Sequence, residues 1–242
     1  MEIEVERNIL DANDRIAREN RKRFDAHGCF VVNLMGAPGS GKTAILERTL
    51  AMLDRKLRTG VIEGDVRGSL DADRLAPLGV PVVQINTDPL FGGECHLDAR
   101  MVSHGLSQLS IEGLDLVFIE NVGNLVCPAE FRVGEDRKVM VLSVAEGDDK
   151  PLKYPLMFRE SALLLLNKID LLPYVDFDVG RFRHNVSRVN PGLPITEVSA
   201  RTGKGIEHWV EWLQKEVAAS PRKGGSHAGR SERLDPAEIR RG

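Results

Sequence analysis

The sequence predicts an α/β fold: a mostly parallel, open sheet of about seven strands with helices on both faces, preceded by an N-terminal helix. Three observations predict it. Short apolar runs alternate with helical stretches along most of the 242 residues, the pattern of right-handed βαβ units. The segment Gly36-Ala37-Pro38-Gly39-Ser40-Gly41-Lys42-Thr43 completes G-x-x-x-x-G-K-[ST] between an apolar run and a helical stretch, the context of a phosphate-binding loop. Acidic and amide residues close several later apolar runs, at the strand ends where open α/β sheets gather ligands.

Ile9, Ala12, Ile16 and Phe24 recur at helical spacing among many charges, so a helix over about 8–24 is expected with these as its apolar stripe. Gly28 follows as its stop, and residues 1–28 read as a helical extension. The run from Cys29 to Met35 gives a buried strand at 30–35, and Thr43 to Leu53 gives the helix after the loop. Further strands are expected at 59–63, 81–85, 114–119, 138–143, 162–167 and 195–198. A helix is expected from about Cys95 to Leu109, and a last one carries Trp209 and Trp212 as core and edge packing. Residues 29–217 would form one P-loop nucleotide domain. From about Ala218 the chain turns polar and glycine-rich, and 218–242 is read as a disordered tail.

In the phosphate loop, Gly36, Gly39 and Gly41, with Pro38 and Ser40 between them, let backbone N–H groups converge on phosphate oxygens at the positive end of the next helix. Lys42 is placed to reach the β- and γ-phosphates, and Thr43 to set its hydroxyl on Mg2+. The base is chosen downstream, where Asn167-Lys168-Ile169-Asp170 closes a strand. A rigid Asp170 carboxylate accepts the paired N1 and N2 donors of guanine, which adenine lacks. Lys168 would lie along the base, and Asn167 would tie this loop to the phosphate side. Backbone N–H groups at Ser199 and Ala200 are expected to meet guanine O6, while Thr202 offers a helix-capping reading of the same turn. The three motifs in this order predict GTP as the ligand.

Two acidic strand ends complete the expected catalytic set of Lys42, Thr43, Asp65 and Glu120. Asp65 is the first candidate for a carboxylate near Mg2+; Asp71 reads as a helix cap, and Asp73 as either a Mg2+ carboxylate or, the preferred reading, a cap or solvated acid. Glu120 would touch a water of the Mg2+ shell, and the Gly123 N–H would read the γ-phosphate, so the following loop is expected to move with nucleotide state. GTPases of the Ras type place a glutamine after this glycine to orient the attacking water. Here Asn124 is one methylene shorter and no motif places an arginine finger, which predicts slow intrinsic hydrolysis.

Cys95 and His96 stand together at the expected start of a helix, where a thiol's pKa falls and the metal-binding thiolate is favoured. Cys127 lies in the loop expected to respond to the γ-phosphate. Two thiols and an imidazole suit Zn2+ or Ni2+. Three ligands are too few for a closed structural zinc site, and a two-fold dimer would supply a second set. The competing reading makes Cys95 and Cys127 small buried hydrophobes and His96 a satisfied side chain. His104, two helical turns after His96, offers a further ligand or a solvated ring. Cys29 reads as core packing, and His27, His184, His208 and His227 show no partner pattern.

A net charge of −3 argues against nucleic acid or an anionic membrane as partner. No apolar stretch has membrane-spanning length, and the acidic start is the reverse of a secretory signal. Three cysteines without C-x-x-C spacing make no disulfide framework, so a cytoplasmic location is expected.

The segments Glu63-Gly64-Asp65, Leu70 to Arg74, Gln84 to Thr87, Cys95 to Ala99, Glu120 to Pro128 and Glu146 to Pro155, with the phosphate and guanine motifs, closely resemble the HypB family. These are hydrogenase nickel-incorporation proteins of the HypB/UreG group of SIMIBI-class P-loop GTPases. The likeness covers about residues 5–215. It implies a GTP-dependent homodimer that delivers nickel to the large-subunit precursor of [NiFe]-hydrogenase beside a HypA-type nickel and zinc accessory protein. It also implies metal ligation by Cys95, His96 and Cys127, and a Lys150 that reaches across the dimer toward the partner's nucleotide. Some members carry an N-terminal cysteine motif or histidine-rich tract, which this chain lacks, so metal storage is not implied. Others have histidine where Arg100 stands, and the loop 88–93 before the Cys-His pair looks longer than usual. A urease-type nickel GTPase and a regulatory switch without metal are the rival readings.

Overall fold

A computed structural model describes residues 2–53, 56–66, 74–87 and 95–221. Seven strands form one parallel sheet: β1 (Phe30–Met35), β2 (Thr59–Asp65), β3 (Val82–Asn86), β4 (Leu116–Glu120), β5 (Arg137–Ser143), β6 (Leu163–Asn167) and β7 (Ile195–Glu197). Their order is β3-β2-β4-β1-β5-β6-β7, with Val32 opposite Phe118 on one side of β1 and Leu34 opposite Val139 on the other. The strands read as apolar runs because helices cover both faces. Every strand lies within two residues of its expected position.

Alternate residues of β1 serve opposite faces. Val32 and Leu34 pack with Ile45 and Leu46 of α2 (Lys42–Leu53) and with Trp209 of α8 (Ile206–Ala219). The Trp209 Nε1–H donates to Thr49 Oγ1 at 2.8 Å, so the largest core side chain keeps its polar atom satisfied. Val31 faces Phe24 of α1 (Glu2–Ala26) and Val102 and Leu106 of α3 (Ala99–Gln108). Farther along this side, α4 (Cys127–Glu130), α5 (Lys150–Lys153), α6 (Pro155–Glu160) and α7 (Val179–Val189) close the sheet, with Phe158 and Phe182 in the core.

Three local expectations need correction. Helix α1 spans Glu2–Ala26 before Gly28 turns with φ +69°, and its buried stripe is Asn13, Ala17, Asn20 and Phe24. Ile9 is 54% exposed, Ala12 is exposed and Ile16 half-buried; α1 lies partly against backbone carbonyls, which amides satisfy and alkyl groups do not. Cys95 and His96 precede α3 rather than open it, because the Asp98 carboxylate accepts from Met101 N and starts the helix at Ala99. Thr202 does not cap α8; Gly205, with φ +77°, takes that position. Asp71, Asp73, the loop 88–93 and His227 lie outside the described residues, as do 222–242 of the expected tail.

Candidate functional site

The chain leaves β1 at Gly36, turns through the phosphate loop and enters α2 at Lys42. Beside it opens a cleft of about 340 Å3, lined by the loop, Asp65, Arg74, Glu120 and Gly123. Lys42 Nζ donates to the loop carbonyls of Gly36 and Ala37 at 3.4 and 3.5 Å. The Ser40 hydroxyl is buried and makes no hydrogen bond among the described residues, a donor suited to a phosphate oxygen. Thr43 Oγ1 donates to Glu120 Oε1 at 2.7 Å, both groups buried. A hydroxyl and a carboxylate side by side are the hard oxygen donors that Mg2+ prefers, so this pair fits the expected ion. Asp65 ends β2 on the same cleft, its Oδ1 accepting from Val66 N at 2.7 Å.

Gly123 approaches the phosphate loop so closely that a Cβ on it would stand 2.7 Å from Pro38 N. Gly41, with φ +96°, lies against Asn167, and a Cβ there would collide with the Asn167 amide. That amide donates to Ser40 O at 2.9 Å, and Lys168 Nζ donates to Gly39 O at 2.7 Å. Asn167 and Lys168 therefore both anchor the phosphate loop. Asp170 Oδ1 accepts from Ser199 Oγ at 2.6 Å, and Arg201 stands 3.4 Å from Oδ2. The Ser199 hydroxyl, with Arg201 assisting against partial burial, holds the Asp170 carboxyl below the usual carboxylate range. The two N–H groups expected at guanine O6 are engaged inside the protein, Ala200 N with Asn167 Oδ1 and Ser199 N with Lys204 O. The turn closes on itself in this conformation, so meeting O6 requires a change of partner.

Cys95, His96 and Cys127 converge. Their ligand atoms all lie within 4.8 Å of one another, the two sulfurs at 3.1 Å and Cys95 Sγ 3.9 Å from His96 Nδ1. His96 is buried, its ring centroid 4.2 Å from that of Phe131. Two thiols and an imidazole form a soft donor set. The thiol that stands at a helix start is that of Cys127, because Cys95 lies ahead of α3. Cys127 opens the one-turn helix α4, yet burial and then the Cys95 sulfur push its thiol up to about 11. Desolvation disfavours the charged thiolate.

The thiol cluster and the cleft share short pieces of backbone. Asn124 N donates to Gly36 O at 3.0 Å, joining the cysteine-bearing loop to the start of the phosphate loop. The Asn124 side chain, read above as a shortened water-orienting residue, instead donates to Cys95 O at 3.3 Å and accepts from Val126 N at 2.7 Å. Its amide is held on the side of the thiols. Asn121 Oδ1 accepts from Leu97 N at 2.9 Å.

The sequence reading gave no individual role to Asn121, Phe131, Arg74 or Glu63. Arg74 lines the cleft while paired twofold with Glu47 at 2.7 and 2.9 Å; Glu63 is buried in register with Glu120 on the neighbouring strand. An acid inside an otherwise apolar strand was the available signal for Glu63. Among the described residues the three-ligand cluster gains no fourth member. His104 is exposed and pairs with Gln108 at 3.0 Å, and Arg100 is exposed near Asp98. Lys150 Nζ sits 5.4 Å from the Tyr154 ring centroid. Cys29 is buried, its thiol 3.2 Å from Leu114 O. His27, His184 and His208 are exposed.

Residues 30–197 match the nucleotide-binding domain of the CobW/HypB/UreG family. The hydrogenase maturation factor HypB of Azotobacter vinelandii is 53% identical over 215 residues, covering 88% of this chain and 69% of that protein. The crystal structure of HypB from Helicobacter pylori in complex with nickel superposes with a TM-score of 0.80 at 36% identity, covering 86% of this chain and 95% of that one. HypB from Archaeoglobus fulgidus superposes at 0.79 with 39% identity, covering 86% and 100%. No helix among the described residues is long and apolar enough to cross a membrane.

Proposed function

The chain belongs to the CobW/HypB/UreG family, within its HypB hydrogenase maturation factors, and on that premise we propose a nickel-handling GTPase that assists nickel insertion into [NiFe]-hydrogenase. GTP occupies the cleft beside the phosphate loop, with Lys42 and the loop N–H groups on the phosphates and Asp170 on guanine. Thr43 and Glu120, with Asp65 nearby, would hold Mg2+, which supplies positive charge to the phosphates during hydrolysis. Nickel, the cargo, is bound by Cys95, His96 and Cys127, whose soft donors also suit zinc.

One observation carries this reading: the thiol cluster and the phosphate loop are joined by the Asn124–Gly36 backbone bond in the segment that follows Gly123. GTP bound against Gly123 orders that segment, sets the ligand geometry and favours a homodimer in which a second three-ligand set lies nearby. Hydrolysis, slow because Asn124 does not orient water, relaxes the segment and lets nickel pass on. A HypA-type accessory protein and the hydrogenase large-subunit precursor are the partners implied, in the cytoplasm. The exposure of Cys95 beside Cys127 supports ligation over the packing role that a metal-free switch requires.

The test is nickel titration of the purified protein with GDP or a non-hydrolysable GTP analogue, followed by thiolate–nickel absorption and by particle mass. Tighter nickel and a dimer with the analogue are expected. Equal affinity and equal mass in both states would refute the cycle.

A further inference from the structure

Helix α1 carries two buried asparagines that touch neither the cleft nor the thiols. Asn13 is 7% exposed and Asn20 fully buried, two helical turns apart on one face. Each spans the same two pieces of chain. Asn13 Oδ1 accepts from Ala99 N at 2.9 Å while its Nδ2 donates to Arg132 O at 2.8 Å. Asn20 Nδ2 donates to Ala99 O at 2.7 Å and to Val133 O at 3.1 Å. Ala99 stands three residues beyond His96. Arg132 and Val133 follow Phe131, whose ring packs on His96, and they lie on the limb that begins at Cys127.

The bonds meet groups that have few alternatives. Ala99 N is the first N–H of α3, one of the orphan donors at any helix start. Arg132 and Val133 lie in irregular chain between α4 and β5, where buried carbonyls need side-chain donors. Arg21 extends the contact by donating to Gly134 O at 2.9 Å and to the Asp136 carboxylate at 2.7 Å. Helix α1 thus ties the segment after Cys95-His96 to the segment after Cys127.

We propose that Asn13 and Asn20 are positioning residues for nickel, which set the separation of the two ligand limbs from outside the nucleotide fold. The proposal rests on the assignment of nickel to Cys95, His96 and Cys127. It makes α1 docking and nickel occupancy thermodynamically linked, each favouring the other.

The experiment titrates nickel alone into the full chain and into the variants Asn13→Asp, Asn20→Ala and Cys95→Ala, with thiolate–nickel absorption and GDP affinity read on the same samples. Asn13→Asp keeps the acceptor for Ala99 N and loses the donor to Arg132 O. Losing a direct partner of a ligand weakens metal binding roughly 10–100-fold, and these asparagines act one step farther out; a loss of up to about tenfold, with an altered absorption band and unchanged GDP affinity, is expected for both asparagine variants. Variants that bind GDP normally and keep the nickel affinity and band of the parent overturn the proposal and leave the asparagines purely structural. A parent without the band, or a Cys95→Ala variant that retains it, overturns the metal assignment itself and the positioning role with it. Should either variant fail to fold, hydrogen exchange of the unaltered chain decides. Nickel must slow exchange of α1 amides over 9–25, and unchanged exchange there refutes the linkage.

Discussion

Asn121 Oδ1 accepts the Leu97 N–H at 2.9 Å, which bonds the residue after Glu120 to the residue after His96. The Asn121 amide also donates to Asn33 Oδ1 on β1 at 3.2 Å, so its orientation is fixed from the sheet side. Any nucleotide-driven displacement of 120–123 therefore pulls on the histidine limb through one side chain. Asn121→Ala leaves the buried Leu97 N–H unpaired, a loss of about 1–3 kcal/mol, read as a lower thermal midpoint. The ratio of nickel affinities between the GTP-analogue and GDP states should fall toward one. A variant with the stability loss but an unchanged ratio would exclude this route of coupling.

Asn124 occupies the place of a water-orienting glutamine, but its amide spans Cys95 O and Val126 N. Asn124→Ala should leave single-turnover hydrolysis within about threefold of the parent, since a residue that does not act in the transition state costs little there. Nickel binding should weaken by about tenfold, the scale of a lost outer-shell contact. A large drop in hydrolysis with nickel affinity intact would return Asn124 to the catalytic role that its position suggests.

Strands and phosphate loop were legible because their causes are local: apolar runs covered on both faces, and glycines where the backbone must approach a ligand or itself. The docking of α1 was not. Hydrophobic periodicity selects Ile9, Ala12 and Ile16, whereas Asn13 and Asn20 are buried because the surface they meet offers carbonyls from distant segments, which no local pattern records. The start of α3 was readable in principle, since Asp98 three residues before Met101 is an N-cap signal, but the Cys-His pair drew the boundary too early. The inward turn of the Ser199 and Ala200 N–H groups depends on Asn167 and Lys204, partners that a motif match does not reveal.

Asp170 is held by Ser199 at 2.6 Å, and the proposed base site gives this carboxylate the two guanine donors. Asp170→Asn replaces an acceptor by a donor facing N1–H and N2–H. Two lost charge-assisted hydrogen bonds at about 1.5–3 kcal/mol each predict a GTP affinity lower by roughly 10²–10⁴-fold. Xanthosine triphosphate, whose base presents a carbonyl in place of the amine, should bind the variant better than GTP. Because Ser199 and Arg201 hold this carboxyl below the usual range, guanine selectivity of the parent should persist into mildly acidic solution. It should fade only as pH falls through that depressed value. Competition assays between the two nucleotides across pH measure both points, and an unchanged preference in the variant would refute the assignment.

Cys127 gives the sharpest pH dependence. Burial, reinforced by Cys95, raises its thiol to about 11, so the metal-free site carries a proton there throughout the neutral range. Nickel binds the thiolate and must displace that proton. Apparent nickel affinity should therefore rise by about tenfold per pH unit from this thiol alone, with protons released into weak buffer as nickel is added. The sign for folding is opposite. The unfolded thiol loses its proton near 9.0 and the folded one near 11, so between these values the native state binds more protons and stability falls as pH rises. Thermal midpoints of the metal-free protein should drop over that window, and Cys127→Ser should remove this part of the drop. A nickel affinity independent of pH from 6 to 9 would mean that Cys127 is not a ligand.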